Sequence, residues 1–179
     1  ATETTTLRMA VNKGFRSPQI NELYVFKPSH TDLEPERAWN YEVGLNQKVG
    51  ERLSMDVALY KMEGDNLIER ASNPTPPPMY LFRNIGSFEF WGFELGVRAL
   101  LKPGLSAVVQ YTHLDPGDKT AGRPEHKLDT GLRYLRGRFS GHLNGQYVAG
   151  LYGSDNHMDK LSDYFLSLIH ISEPTRLGM

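Results

Sequence analysis

Apolar and polar residues alternate with a period of two along most of this chain, and the connections between alternating stretches are short and long in turn. From Ala38, Trp39, Tyr41, Val43, Leu45 and Val49 interleave with Asn40, Glu42, Gly44, Asn46 and Lys48. Leu53, Met55, Val57 and Leu59 alternate with Ser54, Asp56 and Ala58, and Trp91, Phe93, Leu95 and Val97 with Gly92, Glu94, Gly96 and Arg98. Leu105, Ala107, Val109 and Tyr111 interleave with Ser106, Val108, Gln110 and Thr112. Leu128, Leu132 and Tyr134 oppose Lys127, Asp129, Gly131 and Arg133, and Phe139, Leu143 and Tyr147 oppose Arg138, Ser140, His142, Asn144 and Gln146. Such a pattern specifies strands with one apolar face. Together with the strand-like segment Thr4 to Lys13, it predicts seven strands, with an eighth starting near Leu161.

Connection lengths add what alternation lacks. Short turns fall at Gly50-Glu51, Lys102-Pro103-Gly104 and Arg136-Gly137; long loops fall at Gly14 to Arg37, Ala71 to Met79, Asp115 to Arg123 and Tyr152 to Lys160. An outer-membrane barrel has this arrangement, with short periplasmic turns and longer extracellular loops. A soluble antiparallel sandwich alternates apolar and polar positions in the same way. The meander with alternating loop lengths, the long segments Arg52 to Arg70 and Tyr80 to Leu101, and the aromatics near strand ends favour the barrel.

Composition closes other routes. There is no cysteine, so disulfides and thiolate metal sites are excluded. A net charge of −1 without runs of like charge argues against a nucleic-acid partner. No stretch approaches the ~20 apolar residues of a membrane helix, but a membrane strand needs only about 9–11. Ala1-Thr2-Glu3 has neither the basic end nor the apolar run of a signal peptide, which suggests a fragment or a mature product.

Gly14-Phe15-Arg16-Ser17-Pro18, Asn21-Glu22-Leu23-Tyr24, Asp32-Leu33-Glu34-Pro35-Glu36 and Trp39-Asn40-Tyr41-Glu42-Val43-Gly44 follow one another around the first long loop. Asp65-Asn66-Leu67-Ile68, Arg83-Asn84-Ile85-Gly86, Trp91-Gly92-Phe93-Glu94-Leu95, Tyr111-Thr112-His113-Leu114 and Arg123-Pro124-Glu125-His126-Lys127-Leu128 come after them. Taken in order, from about Leu7 to Phe165, these blocks resemble the barrel of TonB-dependent outer-membrane receptors. The resemblance implies an all-β, antiparallel up-and-down meander, a segment of about seven or eight strands from a transmembrane barrel of roughly 22.

It also implies partners: outer-membrane lipid, a plug domain in the same full-length protein, a TonB complex engaged through an N-terminal part lying outside this chain, and a small-molecule or metal-chelate ligand. No cofactor is implied. Glu42, Gly92, Glu94, Gly96, Arg98 and Arg133 are expected to face the lumen and plug, since charges are costly against lipid and the glycines leave room for bulk. The expected domain is residues 1–165, with the plug and the final strands absent. Leu166 to Arg176 breaks the family pattern directly after Asp163-Tyr164-Phe165 and resembles an in-frame translation of a transposon adapter used in sequencing libraries. Residues 166–179 are therefore expected to be a non-native tail outside the fold; the alternative is a genuine apolar strand from Phe165 to Ile171.

Ligand contacts are expected from the extracellular loops, at Arg16, Tyr24, His30, Asp32, His113, Asp115 and His157. Imidazole and carboxylate suit zinc or copper, but no pair here has the spacing of a metal motif, and no metal site is assigned. Ser140, His142 and Asn144 share one side of a strand and invite a hydrolase reading, yet positions two apart on a strand stand about 7 Å apart, too far for a nucleophile and its base. Asn73 to Pro78 reads as a stiff loop tip rather than a polyproline recognition segment. The expected function is high-affinity uptake of a scarce ligand (siderophore, cobalamin, haem or metal chelate) through the outer membrane of a Gram-negative bacterium, without enzymatic activity. A porin or barrel hydrolase is the first alternative. A soluble all-β interaction module is the second, and it requires the Trp39, Trp91 and Phe93 faces to be buried.

Overall fold

The computed structural model describes residues 4–24, 32–73 and 80–172. His30 and Pro74 to Pro78 lie outside the described residues. Eight strands form one antiparallel meander in the order β1-β2-β3-β4-β5-β6-β7-β8. They are β1 Thr5–Arg16, β2 Glu36–Val49, β3 Leu53–Ser72, β4 Tyr80–Lys102, β5 Leu105–Asp115, β6 His126–Arg136, β7 Phe139–Ala149 and β8 Tyr164–Ser172, with one short helix, α1 Ile20–Tyr24. β1 and β8 are the sheet's edges. Each short turn carries a glycine at positive φ, Gly50 (62°), Gly104 (79°) and Gly137 (61°), where a side chain would be strained.

The register confirms the faces read from the sequence. Cross-strand partners share a face, so Leu95↔Tyr111↔Leu128↔Tyr147 and Ala107↔Leu132↔Leu143 belong to one side. Gly96↔Gln110↔Asp129↔Gln146 and Ser106↔Arg133↔His142 belong to the other. Among the described residues, nothing covers the apolar side. Trp39 and Trp91 remain 37% and 47% exposed, and Leu132, Leu143 and Tyr147 are exposed as well. A soluble sandwich would bury these side chains, so the structure contradicts that alternative. β3 and β4, at 20 and 23 residues, are about twice the length a bilayer requires.

By contacts the chain divides into two units. One comprises residues 1–9, Glu42–Tyr60 and Trp91 onward; the other comprises Ala10–Tyr41 and Lys61–Phe90. In the first, Arg8 lies on the polar face, its guanidinium 2.8 Å from one Asp56 oxygen, 3.0 Å from the other, and 3.3 Å from Glu42. In the second, Phe88 and Phe90 stack at 4.6 Å, and Lys13 sits over the Trp39 ring at 4.8 Å.

β8 departs from expectation. Leu166 to Ser172 were expected outside the fold, yet they pair with β7 through Gln146↔Leu166, Asn144↔Leu168 and His142↔His170. An open sheet edge offers backbone donors and acceptors to any extended segment, so pairing alone makes no demand on side chains. The side chains do break the pattern, because this register sets Leu166 and Leu168 beside Gln146 and Asn144 on the polar face.

Candidate ligand-binding loops and polar wall

The motifs around the first long loop converge on one cluster within the second unit. Arg16 at the end of β1 makes two 2.6 Å hydrogen bonds to the Glu36 carboxylate and two 3.1 Å bonds to Glu22. Glu22 also accepts the Gln19 amide at 2.7 Å, which caps α1, and Glu36 accepts the Ile68 amide at 2.9 Å. Beside them, Asn84 treats Glu34 as a neighbouring strand would. Its carboxamide oxygen accepts the Glu34 amide at 2.8 Å, while its nitrogen donates to the Glu34 carbonyl at 2.8 Å and the Asn66 carbonyl at 2.7 Å. Asn66, at φ 60°, donates to the Glu34 carboxylate at 3.0 Å. Both feet of the loop are thereby fastened. Sequence reasoning missed α1, and missed Glu22, Glu36, Asn66 and Asn84 as a set.

Four hydrogen bonds to two carboxylates thus hold the Arg16 guanidinium within the chain. Tyr24 is 57% exposed, and Asp32 is exposed beside a shallow recess lined by Leu33, Glu34, Arg83 and Asn84. The Arg16 guanidinium, with help from the Ile68 amide, holds the Glu36 carboxyl below the ordinary glutamate range, against a smaller opposing effect of burial. Because the folded value is depressed, the stabilisation is fully present above the unfolded value near 4.3 and is lost as pH falls through the folded one. The stability difference between the wild-type protein and Glu36→Gln, measured by thermal melts in detergent, should therefore be constant near neutrality and shrink below about pH 4.

The other named loop residues belong to the first unit. His113 and Asp115 stand at the end of β5, on the face of Phe93 and Tyr111, rather than in the following loop. Trp91 donates its indole N–H to Asp115 at 2.9 Å and packs edge-on against His113 at 5.5 Å; His113 stacks on His126 at 4.8 Å. His113 Nδ1 lies 3.1 Å from the Glu125 carbonyl, which can only accept, so that nitrogen carries the proton. His126 Nδ1 shares a hydrogen bond with the Tyr111 hydroxyl at 2.8 Å. Trp91 and Tyr111 in this row are of the residue types that flank a barrel's apolar band.

The β5–β6 and β7–β8 loops fold onto each other around Thr120, which is fully buried. The Thr120 hydroxyl donates to the Ser154 carbonyl at 2.9 Å and accepts the His157 amide at 3.1 Å; Asp155 accepts the Ala121 amide at 3.0 Å. Asn156 (58°), His157 (56°) and Asp159 (52°) all hold positive φ, a conformation that persists only where surroundings impose it. His157 Nε2 is 3.3 Å from a Glu125 oxygen, so Glu125 links His157 to His113. The structure thus joins His113, Asp115 and His157 in one patch. Among the described residues, no three His, Asp or Glu side chains converge as a metal centre would require.

The polar wall gathers Glu94, Gly96 and Arg98 with Asp56, Gln110 and Lys127 around one depression. Arg133 lines another with Asp129, His142 and Asn144. Asp129 accepts from Gln146 at 2.8 Å and pairs with Lys127 at 3.2 Å. Ser140 and His142 face Leu135 and Arg133 across the sheet. The two glycines differ. A Cβ at Gly96 would meet only Asp56, at 3.8 Å, whereas one at Gly92 would strike the Tyr60 hydroxyl at 2.5 Å and the His113 carbonyl. Open space faces Gly96, while the chain's own atoms fill the space at Gly92.

The model of the TonB dependent receptor-like β-barrel family matches residues 1–168. The chain is similar to the vitamin B12 transporter BtuB of Photobacterium profundum, 27% identical over 174 residues, covering 91% of this chain and 28% of that protein. It is 29% identical over 117 residues to the ferric-pyoverdine 358 receptor of Pseudomonas putida, covering 59% and 14%. The solved structure of the copper transporter OprC matches with a TM-score of 0.74 at 19% identity, over 98% of this chain and 30% of that one. The chain spans less than a third of the length of these relatives.

Proposed function

Because this chain belongs to the TonB-dependent receptor β-barrel family, we propose that it forms part of the wall and extracellular loops of an outer-membrane receptor that takes up a scarce ligand. The observation that carries this reading is the division of the sheet into an uncovered apolar face and a continuous charged face. The first suits lipid, and the second suits a hydrated, plugged lumen. Glu42, Glu94, Gly96, Arg98 and Arg133 would face the plug. Tyr24, Asp32 and His157 would meet the ligand on loops positioned by Arg16 and Thr120. Energy coupling through TonB would act on parts of the receptor outside this chain. We read the role as uptake rather than catalysis because the matching family is one of receptors. We also take residues 166–179 as foreign to the receptor, because Leu166 and Leu168 put apolar bulk on the charged face.

The test is uptake by cells carrying the complete reading frame. Labelled cobalamin, haem and a panel of ferric siderophores are offered with and without TonB. One ligand should accumulate only when TonB is present; accumulation independent of TonB would point to a porin. A simpler consequence concerns this chain in water. With its apolar face uncovered and β1 and β8 as open edges, it should self-associate without detergent, and a monodisperse peak by light scattering would contradict the reading.

A further inference from the structure

The turn end of the sheet carries an unbalanced charge. Lys48, Arg52, Lys102, Arg136 and Arg138 lie in or beside the three short turns, with Glu51 as the one acid among them. All five cations are exposed, and none has a carboxylate partner among the described residues. Away from the turns, Arg8, Arg16, Lys61 and Lys127 each hold an acid.

Two of the cations are directed at the apolar face. Even-numbered residues of β4 from Gly92 to Leu100 belong to the polar side, but the register slips between Leu100 and Lys102. This bulge pairs Lys102 with Leu105, which pairs in turn with Tyr134. Lys102 is thereby moved onto the apolar side, as bulges do when they re-aim a side chain. Arg136 shares the parity of Leu132 and Tyr134 and pairs with Phe139, so it too ends on that side. β4 and β6 are two strand spacings apart, which puts the two backbones roughly 10 Å from one another. The Arg138 guanidinium lies over the Phe139 ring at 5.4 Å. Tyr134 and Phe139, both exposed, complete a rim that is apolar toward the middle of the sheet and cationic at its margin.

A long basic side chain at the margin of a lipid-facing band extends along the apolar surface and places its charge among headgroups. Five cations against one acid fit an anionic headgroup and gain little from a zwitterionic one. We propose that Lys102, Arg136 and Arg138 form a docking rim for anionic phospholipid in the leaflet at the turn end. The inference rests on the membrane-wall reading above. It gives the bulge at Leu101 a purpose, because without the slip Lys102 would point into the polar interior.

The test uses the complete receptor reconstituted in vesicles of phosphatidylethanolamine with a minor share of phosphatidylglycerol. It is then extracted, and the co-purifying lipid is quantified by mass spectrometry. Phosphatidylglycerol should be enriched above its share in the vesicle, by about fivefold for each cation that contributes, and added salt should reduce the enrichment. Lys102→Gln/Arg136→Gln/Arg138→Gln should return the ratio to that of the vesicle, while Lys160→Gln at the loop end should not. Should the triple variant fold poorly, Glu51→Gln gives the opposite arm, since removing the one acid should raise the enrichment. Equal retention of the two lipids, or enrichment indifferent to salt and to Glu51, overturns the rim but leaves the membrane wall standing. Failure to retain either lipid overturns both.

Discussion

Replacing Arg16 by methionine should unfold α1 while leaving the sheet in place. The side chain is 38% exposed, but its partners Glu22 and Glu36 are only 10% and 15% exposed, so the substitution strands two largely enclosed carboxylates. Breaking a fully buried pair costs about 3–5 kcal/mol; allowing for the exposed guanidinium, about 2–3 kcal/mol is expected here. A five-residue helix has almost no stability of its own in water, so losing its anchor leaves nothing to order it. Hydrogen exchange in the detergent-solubilised receptor reads the effect directly. The Gln19, Glu22 and Leu23 amides should reach the exchange rate of an unstructured peptide, and the Ile68 amide, now facing a carboxylate without its cation, should exchange at least tenfold faster. Arg16→Lys should fall between, because an ammonium cannot bond two carboxylates in the forked geometry that guanidinium provides. Unchanged protection of α1 in Arg16→Met would show that the loop is held by something else.

The same cluster marks the limit of what the sequence makes legible. Its residues were recognisable as separate blocks, and their order around the loop identified the family. Their union was not visible, because Arg16 meets Glu36 at a separation of 20 residues and Glu34 meets Asn84 at a separation of 50. No local period encodes such contacts. The faces of β4 to β7 were legible for the opposite reason: parity is local, and a one-residue slip would send Asp129 and Arg133 to the apolar side. Parity fails where the backbone departs from period two. The bulge at Leu101 moves Lys102 to the other face although the count of residues runs on unbroken. α1 was hidden too, since five residues are too few to show a helical period, and its cap is Gln19 with Glu22 rather than a serine or threonine box. The loop platform around Thr120 could not be read at all, because its order comes from backbone groups bonding between two loops.

Gly92 should be the least replaceable residue of the polar wall, and Gly96 should tolerate a side chain until a plug is present. The difference lies in what stands opposite each backbone. At Gly92 a Cβ would enter the space of the Tyr60 hydroxyl and of the His113 carbonyl, and that carbonyl belongs to the paired strand β5. A tyrosine tip can swing aside, but a carbonyl engaged in the sheet cannot move without disturbing its register. Gly92→Val is therefore expected to destabilise by about 3 kcal/mol or more, at the upper end of overpacking effects. Adding Tyr60→Phe should recover only a small part, because the backbone clash remains. At Gly96 the nearest atom is Asp56 Cβ at 3.8 Å, an ordinary contact, so Gly96→Val should leave the wall's own stability within about 1 kcal/mol. If the polar face receives a plug, Gly96→Val should nonetheless impair the complete receptor, and removing the plug should abolish that defect while the Gly92→Val defect persists. The fraction of barrel that stays compact on unheated gels measures both. Equal behaviour of the two variants, in either context, would mean that neither local crowding nor a plug accounts for the glycines of this wall.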